Sequence, residues 1–84
     1  MPEPYTHVLR PTIGSYLTQR RRPGQRKWEF VSEWSADMCD AEPRALSDMG
    51  RALLDGYKKA RVLAIPPQEH PYPEPWLLAE ASAR

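Results

Sequence analysis

With 84 residues, a formal net charge of +1, 40% hydrophobic and 27% charged residues, the chain has the size and make-up of one small folded domain with a modest core. That balance provides no overall field to hold the molecule on DNA or an acidic membrane, and a single Cys excludes an internal disulfide framework. No apolar run reaches signal-peptide or membrane-spanning length, so a cytoplasmic protein with no membrane partner is expected.

Residues 1–10 open with alternating prolines and then offer Tyr5, Thr6, His7, Val8 and Leu9 as a short strand that Pro11 ends. His7 has no second His, Cys or carboxylate at a metal-like spacing and reads as an ordinary strand residue.

Residues 12–21 and 26–35 read as the two strands of a long β-hairpin. The turn is Arg22-Pro23-Gly24-Gln25, where Pro presets φ at the first corner and Gly supplies a positive φ at the second. Centring the hairpin there places Gln19 opposite Trp28, Leu17 opposite Phe30 and Ile13 opposite Trp34. All six then share one face, because side chains alternate with period two. Trp28, Phe30 and Trp34 are accordingly expected in the core, with base-stacking platforms as the alternative reading.

The hairpin tip gathers Arg20, Arg21, Arg22, Arg26 and Lys27, the densest cluster of charge in the chain. A cationic tip guards a sheet edge against aggregation. It also presents forked donors to phosphates or to an acidic protein groove. These five residues are the first candidates for partner contact.

Asp37, Asp40 and Glu42 precede the next periodic segment, with Asp40 as a candidate N-cap and Pro43 in the first turn. The acids suit the positive end of a helix dipole better than a cation site, so no metal is expected. Cys39 lies among these acids and is expected to be a small buried residue.

Residues 41–64 predict one long α-helix. Leu46, Met49, Leu53, Tyr57 and Ala60 form its apolar stripe, which Ala45, Ala52, Gly56, Leu63 and Ala64 broaden, and Asp48/Arg51, Arg51/Asp55 and Asp55/Lys59 stand at pairing distance. Gly50 and Gly56 inside it suggest close packing against a tryptophan. Lys58, Lys59 and Arg61 at its end either complement the dipole or continue the basic patch of the hairpin.

Pro66 and Pro67 stop the helix. With Pro71, Pro73 and Pro75 they make an extended arm, after which residues 76–81 are expected as a short terminal helix. Tyr72 and Trp76 either fold back on the domain or contact a partner or a second copy of the chain, so a homodimer is compatible with the pattern.

The expected architecture is α+β: an antiparallel β-hairpin or three-stranded sheet packed on one long α-helix, with extended Pro-rich termini. The domain spans residues 1–65 and the arm residues 66–84. No nucleophile with a base, no metal spacing and no glycine-rich phosphate loop occurs, so neither catalysis nor a cofactor is expected. The function expected instead is that of a small non-enzymatic binding protein whose basic tip contacts nucleic acid or a larger nucleoprotein complex. Two alternatives share the same residues. One is an inhibitor, of the kind phages and mobile elements encode, that occupies a host protein machine such as a CRISPR effector. The other is an assembly subunit whose arms embrace its neighbours.

Overall fold

A computed structural model describes residues 12–67 and 74–83 as a four-stranded antiparallel sheet with one helix packed on it. The elements in chain order are β1 (Ser15–Arg21), β2 (Glu29–Ser35), α1 (Ala41–Leu54), β3 (Lys59–Ile65) and β4 (Trp76–Ser82). Across the sheet the strands lie in the order β2-β1-β3-β4. Since β2 and β3 both run antiparallel to β1, they are parallel to each other, and α1 makes the crossover that such a pair requires.

The α+β class and the hairpin agree with the sequence expectation; the strand count, the helix length and the register do not. The expected turn is present, with the Gln25 N–H donating to the Arg22 carbonyl at 3.1 Å and Gly24 at φ 76°. Pairing, however, resumes only at Glu29. The Gln25 side chain props the loop open: its Oε1 accepts from the Arg22 N–H at 3.0 Å and its Nε2 donates to Glu29 Oε2 at 3.0 Å. Tyr16 therefore stands opposite Trp34 and Leu17 opposite Glu33, in place of the Leu17–Phe30 and Ile13–Trp34 pairs. A bulge between Thr18 and Gln19 then shifts the register once more and sets Phe30 opposite Gln19.

The helix stops ten residues short of the predicted end at residue 64. Gly56, at φ 97°, donates its N–H to the Leu53 carbonyl, and Tyr57 donates to the Ala52 carbonyl, each at 3.2 Å. This is a Schellman closure with glycine as the left-handed residue. Beyond it, Lys59–Ile65 alternates intermediate and buried residues and is the inner strand β3. Residues 76–82, expected to begin as a helix, form the edge strand β4 against β3. At the other end of α1, Asp40 occupies the N-cap position as expected, but at φ 62° and without a side-chain cap bond.

The helix meets the sheet through the alanines of its predicted stripe, Ala45 and Ala52, and not through Leu46. Ala41, Ala45 and Ala52 are buried, whereas Leu54 is 88% exposed and Leu46 is exposed as well. Beneath the alanines lie Thr18, Ala60, Val62 and Ala64, all fully buried, and Thr18 Oγ1 donates to the Ala45 carbonyl at 3.2 Å. Small side chains on both sides let backbone approach backbone closely. Asp48, expected to pair with Arg51, turns inward instead. Its Oδ2 accepts from Ser32 Oγ at 2.6 Å and from Trp34 Nε1 at 2.8 Å, tying α1 to β2. Cys39 is exposed rather than buried.

The glycines separate by role. A Cβ at Gly50 meets nothing within 4 Å, so no tryptophan packs there, and its helical position makes it only an entropic weakness. Gly50→Ala is expected to raise stability by about 0.5–1 kcal/mol in urea denaturation, whereas Gly56→Ala, forced into left-handed backbone, lowers it by about 1–2 kcal/mol. At Gly14 a Cβ would stand 2.9 Å from the Pro67 backbone. The close approach there lets the Gly14 N–H reach the Ile65 carbonyl at 2.7 Å.

The strand read over Tyr5 to Leu9, the N-terminal prolines and Tyr72 lie outside the described residues. Among the described residues, no helix is long and apolar enough to cross a membrane.

Candidate functional site

Three segments meet at one end of the sheet: the hairpin loop Arg22–Trp28, the α1–β3 connection and the end of β4. The Lys58 N–H donates to the Arg21 carbonyl at 2.9 Å, and the Ala83 N–H to the Lys58 carbonyl at 2.7 Å. This lacing draws the two basic clusters of the sequence together. Arg21, Arg22, Arg26, Lys58 and Lys59 line an open hollow of about 420 Å³ together with Pro23, Gly24 and Gln25. Among the described residues, no acidic side chain lines it. Lys58 and Lys59 reach the hollow because Lys58 ends the α1–β3 connection and Lys59 begins β3. The expectation that they complement the end of a helix dipole is corrected accordingly, since α1 has already closed at Leu54.

Strand alternation distributes the tip cations over the two faces of the sheet. Arg20 and Arg22 turn to the helix side, where their Cζ atoms lie 4.1 and 4.6 Å from the centre of the Tyr57 ring. Arg22 Nη2 donates to Tyr57 Oη at 2.9 Å, and Glu29 pairs with Arg20 Nε at 3.6 Å and with Arg22 Nε at 3.8 Å. Arg20 is thereby committed to the fold and does not line the hollow, while Arg22 spans both roles. Arg26 and Lys27 are exposed on the loop, Lys27 outside the hollow lining.

Arg21 turns to the opposite, uncovered face. Its Cζ lies 4.7 Å from the Trp28 ring centre and that of Arg61 lies 4.0 Å from it, the range in which a guanidinium is drawn to an aromatic quadrupole. Arg61 Nε donates to Gln19 Oε1 at 2.8 Å. Burial pulls the Arg61 guanidinium below its ordinary pKa, with Arg21 adding to that shift and the Glu80 carboxylate opposing it. An arginine starts so high that it stays a cation at neutral pH.

Trp28 and Phe30 are the residues whose role the sequence misplaces. Both read as core, yet they lie on the face that α1 does not cover, and Phe30 is 65% exposed. One sequence signal points the other way: Trp28 directly follows the basic tip, at Lys27. Trp76, expected either to fold back on the domain or to contact a partner, is half-buried in β4 opposite Ala64.

Compared with protein-family models, curated proteins and solved structures, the chain matches none.

Proposed function

We propose that the protein is a non-enzymatic binding module whose cationic hollow grips the phosphates of a nucleic acid, free or within a larger nucleoprotein complex. The observation that carries this is the convergence of five cations from two distant chain segments with no carboxylate in the lining they share. Lysines and arginines placed so closely repel one another, which an anion relieves. Guanidinium forks and ammonium groups together suit phosphate oxygens.

Net charge argues for a confined contact. At +1 the molecule has no long-range field to spread over a duplex, so affinity comes from a few phosphates. For about four contacts, a slope near −0.9 per phosphate predicts roughly a hundredfold loss of affinity between about 50 and 200 mM salt.

Arg26 and Lys58 are exposed, and they line the hollow from its two sides. Arg26→Glu with Lys58→Glu is expected to leave the melting temperature within a few degrees and to weaken nucleic-acid binding at least tenfold, with a shallower salt slope, in a fluorescence anisotropy titration. Unchanged affinity in the double variant would overturn the assignment of the hollow. A second reading is favoured by the near-zero net charge: the same hollow takes carboxylates of a protein machine, as an inhibitor would. Complete absence of nucleic-acid binding at low salt would leave that one standing.

A further inference from the structure

We infer that the uncovered face of the sheet is a stacking platform for single-stranded nucleic acid, with a base on Phe30 and the backbone led past the arginine-flanked Trp28 into the cationic hollow. This rests on the phosphate-binding reading above and adds which form of nucleic acid is taken.

The first ground is the composition of the face. Cross-strand register sets its rows. Nearest the hollow stand Arg21 and Lys59 with Ser82; next come Phe30, Gln19, Arg61 and Glu80; then Glu33, Leu17, Leu63 and Leu77. The second row holds an exposed aromatic ring, an amide, a guanidinium and a carboxylate side by side. Those are the groups that stack on a base and bond to its edges. The third row adds aliphatic surface, with Leu77 53% exposed.

The second ground is how the two rings reach that face. Without the bulge between Thr18 and Gln19, alternation along β2 would set Phe30 opposite Arg20, toward the helix. The bulge turns a large apolar side chain outward, where it gains no burial. The loop Arg22–Trp28 likewise brings Trp28 against Arg21 and Arg61 instead of into the core. Bulges re-aim side chains and are over-represented both at sheet edges, where β2 lies, and beside functional sites.

The third ground is continuity. Arg21 lines the hollow and also stacks on Trp28, so cations and rings form one surface. Rings in the plane of a sheet stack on bases that are splayed out, and paired bases do not offer their faces. A strand of seven residues spans about 23 Å, room for a few nucleotides.

The test titrates the full chain with a labelled twelve-nucleotide oligo(dT) and with a mixed-sequence duplex of the same length, at about 50 mM salt. The single strand is expected to bind at least tenfold tighter. Phe30→Ala, a surface truncation, should weaken it by about 5- to 100-fold and leave duplex binding unchanged, and Phe30→Tyr should restore it. Arg26→Glu with Lys58→Glu should weaken both ligands. Equal or tighter duplex binding with Phe30→Ala silent would overturn the platform and leave the hollow intact. Failure to bind either ligand would overturn both readings. Sedimentation showing a dimer that Phe30→Ala dissociates, without nucleic-acid binding, would give this face to a second copy of the chain and also overturn the platform.

Discussion

Trp34→Ala is expected to lower the unfolding free energy by about 3 kcal/mol, the low end for a large aromatic, because the ring is half-buried. In a domain of this size that shift lowers the melting temperature by roughly 12–24 °C. The ring covers the helix-side face of β2, with Arg44 Cζ 5.3 Å from its centre, and its indole N–H is satisfied by Asp48. Removing the acceptor instead, by Asp48→Ala, leaves the Trp34 N–H and the Ser32 hydroxyl without a partner and costs about 1–3 kcal/mol. Asp48→Asn keeps an acceptor oxygen in place and should lose less. Because the two residues share one bond, the double variant Trp34→Ala with Asp48→Ala should lose about 1 kcal/mol less than the sum of the singles. Phe30→Ala provides the contrast, expected within about 0.5 kcal/mol of the parent chain. Urea denaturation of the set checks all of this, and a silent Trp34→Ala would move that ring out of the packed layer.

Ala45→Leu is expected to destabilise by about 3 kcal/mol or to prevent folding. Ala45 is fully buried, and its carbonyl accepts the Thr18 hydroxyl at 3.2 Å, so helix and sheet backbones leave no depth for a longer side chain. Leu and Ala differ little in helix propensity, so the loss reports packing alone. Leu46→Ala is the paired control. It truncates an exposed residue one position along and should be nearly neutral. The two substitutions separate the helix phase set by alanines from the phase that larger apolar residues suggest. A costly Leu46→Ala with a tolerated Ala45→Leu would mean that α1 presents its other side to the sheet.

Several features of the molecule are legible in the residues because they rest on local chemistry. Pro23-Gly24 specifies a turn whatever surrounds it, since one ring fixes φ and one missing Cβ permits its positive value. Asp40-Ala41-Glu42-Pro43 opens a helix, though Asp40 contributes its place and not its side chain. Gly56 is equally local in kind: its place one residue past the C-cap closes the helix by a left-handed step. The sequence masks that step because apolar residues at helical spacing continue through Tyr57 and Ala60, and the periodicity outweighs the breaker. The β-type alternation of Lys59–Ile65 is present as well, hidden because alanines suit either period.

Composition, turn chemistry and short-range periodicity suffice for a small α+β domain with a hairpin, a basic tip and a helix starting near residue 41. Long-range packing set the rest. It placed the aromatics on their faces, since a single-residue bulge reverses side-chain direction along β2 and no local signal marks it. It seated the helix on its alanines, because closeness of approach depends on the Thr18, Ala60, Val62 and Ala64 surface opposite. It also stood Lys58 and Lys59 beside Arg21, Arg22 and Arg26. Only the pairing of β3 with β1 brings together charges more than thirty residues apart in the chain.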